Sequence, residues 1–444
     1  MRILFVSLGC DKNSVDSEVM LGFLQKNGHT FTDDENEAEA AIVNTCCFIN
    51  DAKEESINTI IELGERRKSG QLKALIVSGC LGQRYTALIH ESLPEVDAIV
   101  GISSIDHIAE VLENVISGNP KDVIEPLTKA PLGNSARVMT TGGYYDYLKI
   151  AEGCDKFCTY CVIPKIRGKF RSIPMEDLVL EARSLVNKGV KELILVAQET
   201  TLYGIDLYGE KSLPKLLKRL ARIEGLEIIR LLYCYPEEIT DELIEVMADE
   251  PKIAHYIDIP IQSGSDYILK RMGRRTTASQ ISELVDKMRK KIPDICIRTT
   301  LISGFPKEGI RHHKETLKMV KDLRFDRLGV FTYSREEGTP ASKMKGQVWT
   351  FIKKIRRNEI MKTQQKIAFE KTEALVGSRM KVLIEGYIPE DNIYVGRTYR
   401  DAPGVDGLIF VNSDRELMSG DYVWACVTDF NEYDLIGVYD EFAE

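Results

Sequence analysis

The sequence Cys154-Asp155-Lys156-Phe157-Cys158-Thr159-Tyr160-Cys161 places three cysteines within eight residues. Their spacing is C-x-x-x-C-x-x-C, and they follow an apolar segment, residues 147–151, that is typical of a buried strand. Three thiolates in one short loop can hold three irons of a 4Fe–4S cluster and leave the fourth iron open. The loop therefore predicts a reactive iron–sulfur site at the end of a strand.

Two other kinds of site fit this loop less well. Structural zinc usually takes four ligands, often as two separated pairs, and the chain has no second C-x-x-C. A redox dithiol needs only two cysteines, which leaves the third without a role. None of the six histidines lies near the loop; they are His29, His90, His107, His255, His312 and His313. Zinc remains the main alternative to iron.

The net charge of −9 is concentrated at the C-terminal end of the chain. Residues 377–444 contain five Lys and Arg against fourteen Asp and Glu, whereas the preceding residues carry equal numbers of basic and acidic groups. Such a segment repels a polyanion and attracts a basic partner. A solvated acidic surface without a partner would have the same composition.

The sequence shows no sign of secretion or of membrane insertion. The apolar run at residues 3–6 is too short for a signal peptide, and no apolar stretch approaches the length of a membrane span. Ten cysteines in 444 residues are too few for a disulfide-stabilised scaffold. We therefore expect a cytoplasmic protein with reduced thiols.

Residues 1–118 predict a doubly wound, parallel α/β sheet. Short apolar strands are expected at residues 2–7, 40–44 and 74–78, with helices between them. Cys10, Cys46 and Cys80 each follow one of these strands. Because the carboxyl ends of parallel strands share one edge, these cysteines are expected to face one crevice and hold a second cluster.

Cys47 competes with its neighbour Cys46 for this second site. Adjacent side chains of an extended chain point to opposite sides, so we favour Cys46 as the ligand and Cys47 as a packing residue. A free cysteine is most often a small buried core residue, and this is the alternative for each of them. Three cysteines at matching strand ends favour the cluster.

Residues 144–348 predict a partial (β/α)6 barrel of the TIM type. The strand candidates are residues 147–151, 192–197, 227–232, 255–259, 295–301 and 327–331. Gln198, Glu199, Gln262 and Arg298 lie at or near the carboxyl ends of these strands, where such barrels carry their functional residues. Ordinary turn residues also occur at these positions.

Three further segments complete the chain. Residues 119–143 contain several prolines and glycines with little periodicity, and we expect a linker there. Residues 349–376 predict a helical connector. Residues 377–444 contain short alternating strands between turn residues, which is typical of a small antiparallel β-barrel or sandwich.

Three separated sets of motifs resemble the radical S-adenosylmethionine (SAM) methylthiotransferases. The N-terminal set is Leu8-Gly9-Cys10-Asp11-Lys12-Asn13, Asp16-Ser17-Glu18, Asn44-Thr45-Cys46 and Ser78-Gly79-Cys80. The central set is Glu152-Gly153-Cys154, Cys158-Thr159-Tyr160-Cys161-Val162-Ile163-Pro164, Arg167-Gly168 and Arg171-Ser172. The acidic C-terminal segment resembles the TRAM domain of that family. The resemblance spans nearly the whole chain.

The resemblance implies two 4Fe–4S clusters and two uses of SAM. Cys154, Cys158 and Cys161 would hold the cluster that cleaves SAM to a 5′-deoxyadenosyl radical, which removes hydrogen from an unactivated C–H bond. The second cluster would present sulfur for methylation by another SAM molecule, and its ligands would be Cys10, Cys46 and Cys80. The resemblance also implies contacts to SAM, with Tyr160 near the adenine and with Gln198, Glu199, Gln262 and Arg298 near the methionine end.

Two substrates occur in this family: an adenosine of transfer RNA, modified at C2, and an aspartate of small-subunit ribosomal protein twelve. The runs at residues 10–18 and 401–407 resemble the ribosomal-protein branch. The acidic C-terminal segment also suits a basic ribosomal protein, free or within the ribosome, better than a polyanion. We therefore expect methylthiolation of an aspartyl β-carbon, with an electron donor as a further partner. The alternatives are a tRNA methylthiotransferase and a non-catalytic iron–sulfur or zinc-binding module.

A few residues depart from the family pattern. Lys307 follows Gly304-Phe305-Pro306 at a position where the family usually has glycine, so the conformation of this loop is open. Cys234, Cys296 and Cys426 match no motif and are expected to be core residues.

Overall fold

The computed structural model describes residues 1–441, so the last three residues of the predicted C-terminal domain lie outside the described residues. The first part of the chain forms a five-stranded parallel sheet in the order β2-β1-β3-β4-β5. Its strands are β1 (Arg2–Ser7), β2 (Thr30–Thr32), β3 (Ala40–Thr45), β4 (Ala74–Ser78) and β5 (Ala98–Val100). Its helices are α1 (Asp11–Lys26), α2 (Asn50–Lys68), α3 (Gly79–Ser92) and α4 (Ile108–Ile116).

Both faces of this sheet are covered by helices. Every residue of β3 is buried, and its side chains alternate between two apolar layers. Ala41 and Val43 pack with apolar residues of α2 and α3, whereas Ala40 and Ile42 pack with those of α1 and α4. The structure therefore confirms the doubly wound parallel sheet, and the continuous apolar strands follow from burial on both faces.

The predicted linker is irregular and largely accessible, and the buried Arg137 anchors it. Arg137 is buried and forms ion pairs with Glu18 of α1, with Asp146 and with Glu181. The backbone N–H of Val138 donates to the carbonyl of Glu18 at 3.1 Å. Since these contacts join two parts of the chain, the segment holds them together. The domain boundaries stay a prediction.

The second sheet contains six parallel strands in the order β6-β9-β10-β11-β12-β13. They are β6 (Tyr145–Lys149), β9 (Glu192–Val196), β10 (Ile228–Leu231), β11 (Ile253–Asp258), β12 (Cys296–Ser303) and β13 (Arg327–Thr332). A short ribbon, β7 (Ala151–Glu152) with β8 (Arg171–Ser172), follows β6. The first and last strands, β6 and β13, do not pair, and this open parallel sheet is the expected partial barrel.

Helices cover one face of the second sheet. They are α6 (Met175–Asn187), α8 (Leu213–Ala221), α9 (Asp241–Asp249), α10 (Asp266–Met272), α11 (Ala278–Lys291) and α12 (Ile310–Leu323). Two short helices lie outside this layer: α5 (Ile163–Ile166) packs against α3 of the first sheet, and α7 (Ile205–Tyr208) contacts β8. Three short 3-10 helices occupy Ile105–His107, Pro236–Glu238 and Ala341–Lys343. Leu193, Leu195 and Ile257 pack against the helices, whereas Ile194 and Tyr256 point to the opposite, inner face.

The C-terminal part is a long helix followed by a closed β-barrel. The helix is α13 (Thr350–Glu373), and the strands are β14 (Arg379–Ile388), β15 (Ile393–Thr398), β16 (Ile409–Asn412), β17 (Tyr422–Asn431) and β18 (Asp434–Tyr439). Their order is β14-β15-β16-β18-β17. The pairing is antiparallel except between β16 and β18. The barrel closes through this one parallel pair because β18 returns from β17 as a hairpin and lies beside β16. In residues 1–441, no helix is both long enough and apolar enough to cross a membrane.

Candidate iron–sulfur and cofactor site

The three-cysteine loop leaves the short strand β7 and is fixed at several points. The backbone N–H of Cys154 donates to the Gly168 carbonyl at 3.2 Å, and that of Thr159 donates to the Met272 carbonyl at 2.8 Å. Gly153 has a φ of +79° and touches the backbone of Lys169, so a side chain there would clash. Backbone hydrogen bonds therefore fix the loop on both sides of Cys158.

The three thiols of this loop are close neighbours. Burial raises the pKa of Cys154 to about 12, and the nearby Glu199 and Cys158 contribute to this rise. Burial also raises the pKa of Cys161, again with Cys158 and Cys154 as neighbours. All ten cysteines of the chain are free thiols. A set of three converging thiols is a soft donor set that suits iron–sulfur clusters or zinc.

The structure brings the three N-terminal cysteines to one edge of the first sheet. The strand register aligns Ser7 with Asn44 and Asn44 with Ser78, and Cys10, Cys46 and Cys80 follow these positions by two or three residues. A Cβ at Gly9 would lie 3.1 Å from the Cys46 Sγ. Burial raises the pKa of Cys80 to about 12; Arg167 opposes this rise, and the nearby thiols of Cys10, Cys47 and Cys46 contribute to it. The role of these cysteines as cluster ligands stays a prediction.

Cys47 lies in an apolar layer that also contains Cys80 but not Cys46. Its side chain is fully buried in the apolar layer between the first sheet and helices α2 and α3. Burial raises its pKa to about 11, and Arg84 beside it has the opposite effect. This environment suits a packing residue, which is the role that the sequence favoured.

The two cysteine sets lie on opposite sides of one interface. Arg167, which follows the cysteine loop, is fully buried and points a terminal nitrogen at the Cys80 Sγ at 3.6 Å. The same side chain forms ion pairs with Asp16 at 3.0 Å and Glu152 at 2.9 Å. From the other sheet, the Tyr233 hydroxyl donates to Asp11 at 3.1 Å. One buried arginine therefore links the central loop to the N-terminal cysteines.

Glu199 and Gln262 each present a buried oxygen without a hydrogen-bond partner among the described residues. Glu199 uses its Oε1 to accept from Thr201, while its Oε2 lies 3.9 Å from the Lys156 ammonium. Burial raises the pKa of Glu199 to about 7. Gln262 has a φ of +72°, a conformation that a non-glycine residue adopts at a cost of about 1–3 kcal/mol. Such atoms suit a polar ligand that brings its own donors.

The other predicted cofactor residues do not all lie at these strand ends, because Arg298 is the third residue of β12 (Cys296–Ser303) and lies near its amino end. The Gln198 Oε1 accepts from the Gly153 N–H at 2.8 Å, so it touches the cysteine loop directly. Burial raises the pKa of Tyr160 well above its usual range, with the neighbouring Cys158 adding to the effect. Arg298 forms an ion pair with Asp258 at 3.0 Å and a longer one with Asp406 at 3.5 Å. These roles stay predictions.

Three residues that the sequence did not single out (Tyr233, Tyr235 and Arg274) belong to this region, together with Lys12 of the N-terminal motif. The Tyr235 hydroxyl lies 3.8 Å from the Cys158 Sγ, and the Arg274 guanidinium stacks 4.2 Å from the Tyr235 ring centroid. The Lys12 ammonium lies 3.3 Å from the ring centroid of Tyr233. Tyr233 and Tyr235 lie in the loop that follows β10 (Ile228–Leu231), and their position after a strand is the signal that could have identified them.

Lys307 adopts the backbone conformation that glycine would favour. Its φ is +67°, and its N–H donates to the Gly346 carbonyl at 2.7 Å. The loop after β12 therefore keeps a left-handed turn although the residue has a side chain. Cys234 and Cys296 are fully buried as expected, while Cys426 is only partly buried.

Three family models match separate parts of the chain. Residues 2–101 match the Uncharacterized protein family UPF0004, residues 148–320 the Radical SAM superfamily, and residues 376–439 the TRAM domain. The open parallel barrel with its three-cysteine loop is thus that of a radical SAM enzyme.

Full-length relatives identify the family. The chain is 58% identical to ribosomal protein uS12 methylthiotransferase RimO of Lachnoclostridium phytofermentans, over 98% of this chain and 99% of that protein. It is 49% identical to the protein of the same name from Acetivibrio thermocellus, over 98% of each chain. The chain belongs to the ribosomal protein uS12 methylthiotransferase family.

Solved structures support the fold. The radical SAM methyltransferase TsrM from Kitasatospora setae, solved with cobalamin and a [4Fe-4S] cluster, has a TM-score of 0.57 at 14% identity. The match covers 86% of this chain and 80% of that chain. The cobalamin-dependent SAM radical enzyme OxsB has a TM-score of 0.53 at 15% identity, covering 83% of this chain and 56% of that chain. At such identities the likeness concerns the fold alone.

Proposed function

We propose that this chain methylthiolates the β-carbon of an aspartate in ribosomal protein uS12 and uses two 4Fe–4S clusters for the reaction. Cys154, Cys158 and Cys161 hold one cluster, and the other is held by Cys10, Cys46 and Cys80. The observation that carries the proposal is the pair of three-cysteine sets across one interface, with Arg167 in contact with Cys80. Two sets that face one interface can act on one substrate atom.

The residues present fit clusters and SAM. When bound, these groups supply the radical, the sulfur and the methyl group, which side chains cannot supply. The buried Glu199 Oε2 and Gln262 Oε1 are acceptors without a hydrogen-bond donor among the described residues. An ammonium group such as that of SAM would supply N–H donors to these two oxygens. Gln198 holds the start of the cysteine loop through the Gly153 N–H.

Arg167 has a second role in this proposal. Six thiolates and two clusters would bring excess negative charge to a buried interface, where unpaired charge is unfavourable. The Arg167 guanidinium lies 3.6 Å from the Cys80 Sγ. Burial raises the pKa of Cys46, and the same guanidinium offsets part of this rise. Arg167 therefore stabilises the thiolate form of the N-terminal set.

The C-terminal barrel supplies the surface for a basic protein substrate. Two of its acidic residues, Asp401 and Asp406, are buried and paired with arginines of the second sheet. Its exposed acidic residues are Glu390, Asp391, Asp414, Glu416, Asp429, Glu432 and Glu441, against exposed Arg379 and Arg415. An acidic surface attracts a basic ribosomal protein and repels the phosphates of a transfer RNA.

The test compares uS12 from cells with and without this chain by mass spectrometry. We expect one aspartate-containing peptide to carry a methylthio group in place of one hydrogen only when the chain is present. An unmodified aspartate in both samples would contradict the proposal. Nucleoside analysis of the same cells serves as the control, because loss of a methylthio-adenosine on deletion would assign the chain to transfer RNA instead.

A further inference from the structure

A segment of the C-terminal barrel inserts into the second sheet. Residues 399–407, which we call the C-terminal plug, connect β15 to β16. Ala402 of the plug is buried in an apolar cluster on the inner face of the sheet. The residues of the sheet in this cluster are Ile194, Val196, Leu232, Ala254, Tyr256 and Cys296. The plug thus fills the inside of the partial barrel, on the face without helices.

Polar contacts fix the backbone of the plug. Arg230 donates to the Tyr399 carbonyl at 2.6 Å, and the Cys296 thiol donates to the Arg400 carbonyl at 3.4 Å. Arg400 itself pairs with Asp326 at 2.8 Å. These contacts lie on β10, on β12 and next to β13, so the plug is held by three neighbouring strands.

Asp406 is the residue of the plug that contacts Arg298. Its side chain is 2% exposed, and its Oδ1 lies 3.5 Å from the Arg298 Nε. The other oxygen accepts from the Tyr256 hydroxyl at 2.6 Å and from the Ala402 N–H at 3.0 Å. Asp258 pairs with the Arg298 Nη1 at 3.0 Å. Within residues 1–441, the contacts of Arg298 therefore use Nε and Nη1 and leave Nη2 for a ligand.

We propose that Asp406 is a positioning residue for Arg298, so that the C-terminal plug completes the SAM site of the partial barrel. A guanidinium is planar, and two carboxylates on two of its nitrogens fix both its plane and its direction. The inference rests on the proposed function and on the contact between Arg298 and the methionine end of SAM that the family resemblance implies. It gives the C-terminal barrel a second role besides attracting a basic protein.

Asp406→Asn tests the charge of Asp406 while it keeps the hydrogen bonds that shape the plug. The amide oxygen still accepts from Tyr256 and Ala402, whereas the negative charge beside Arg298 is lost. We expect the Kd of the holoenzyme for SAM, measured by equilibrium dialysis, to rise about tenfold. Tyr256→Phe removes the hydroxyl that orients Asp406 and should raise the Kd by a smaller factor.

Glu227→Gln is the matched control. It removes a partly exposed ion pair of 2.8 Å with Lys381, which also joins the C-terminal barrel to the second sheet but lies outside the plug. We expect no change in the Kd for SAM. A second readout is hydrogen exchange of residues 399–407 in the cofactor-free protein, which should be the same in Asp406→Asn and in the wild type.

Three results would overturn the inference. The first is an unchanged Kd in Asp406→Asn, and the second is a lower Kd, which would show that Asp406 competes with SAM for Arg298. The third is a higher Kd for SAM together with faster hydrogen exchange of the plug in Asp406→Asn and in Tyr256→Phe. Asp406 would then stabilise the plug without positioning Arg298. A wild-type holoenzyme that does not bind SAM would instead contradict the proposed function, on which the inference depends.

Discussion

At the scale of single residues, the candidate site contains buried polar atoms that have no hydrogen-bond partner within residues 1–441. Glu199 is the clearest case, because its Oε2 has no hydrogen bond among the described residues and burial raises its pKa to about 7. A buried acceptor without a donor destabilises the folded protein by about 1–3 kcal/mol. The same atom favours a ligand that supplies a donor. The protein thus gives up some stability in order to bind.

Glu199→Gln should change how stability depends on pH. The raised pKa means that the contribution of Glu199 is fully present below its usual pKa of 4.5 and is lost as the pH rises through about 7. This pKa shift corresponds to about 3 kcal/mol in the free energy of unfolding. The wild type should lose about this much stability between about pH 5 and about pH 8, and Glu199→Gln should not. Urea unfolding of the cofactor-free protein at the two pH values measures this, with Glu227→Gln as control. The same pH dependence in Glu199→Gln and the wild type would contradict the assignment.

Cys46→Ala and Cys47→Ala form a matched pair. Cys46 lies beside Gly9 and Arg167 at the strand ends, whereas Cys47 packs in the apolar layer. After anaerobic reconstitution, Cys46→Ala should lose the iron of the N-terminal cluster, about four of about eight irons per chain. Cys47→Ala should keep all of it. Iron loss in Cys47→Ala with a normal far-ultraviolet circular dichroism spectrum would show that Cys47 is the ligand.

At the scale of elements, buried apolar runs explain what the sequence could predict. The residues of β3 and β4 are apolar or small and are buried on both faces, so their period and length indicate parallel strands. Strand β2 was not predicted, because Thr30–Thr32 is a short, largely accessible edge strand without such a pattern. Cys10, Cys46 and Cys80 were predictable as one group, since strand ends meet at one edge.

The contacts between elements could not be predicted in the same way. Arg167 meets Cys80, and Tyr233 meets Asp11, only because two sheets dock against each other. These partners are far apart in the sequence, and no periodicity connects them. The C-terminal plug is a similar case, because its motif was visible in the sequence but its place inside the partial barrel was not.

Gly79→Ala should damage the turn that carries Cys80. Gly79 has a φ of +85° and touches Asn44 and the backbone of Thr45, so a methyl group would clash as well as strain the backbone. We expect a loss of about 3 kcal/mol in the free energy of unfolding, measured by urea denaturation, and loss of iron from the N-terminal cluster. The control is Gly28→Ala, with a φ of +80° but no heavy atom of the described chain within 4 Å of the added Cβ. Equal effects in the two variants would mean that backbone strain alone is responsible.

At the scale of the whole molecule, buried ion pairs join the three parts of the chain. Arg137 and Arg167 connect the N-terminal sheet to the second sheet. Glu192 lies between Arg230 and Arg397, at 2.7 Å and 2.8 Å, and connects the second sheet to the C-terminal barrel. Removing one member of such a pair leaves an uncompensated buried charge, so the parts act as one unit.

Charge reversal on the C-terminal barrel tests how uS12 is recognised. Glu390→Lys with Asp391→Lys should raise the Kd for uS12 about fivefold and weaken the salt dependence of binding, because these exposed groups attract a basic protein over a distance. Binding titrations at two salt concentrations measure both effects. Glu54→Lys with Glu55→Lys reverses the same charge on the exposed face of α2 and should leave binding unchanged. Equal effects of the two double variants would show that only net charge matters.

The iron content per chain tests most directly whether the two cysteine sets hold two clusters. We would reconstitute three proteins anaerobically: the wild type, Cys10→Ala/Cys46→Ala/Cys80→Ala, and Cys154→Ala/Cys158→Ala/Cys161→Ala. We expect about eight irons per chain, with an equal amount of sulfide, in the wild type and about four irons per chain in each triple variant. Eight irons retained in either variant, or zinc alone in the wild type, would contradict it.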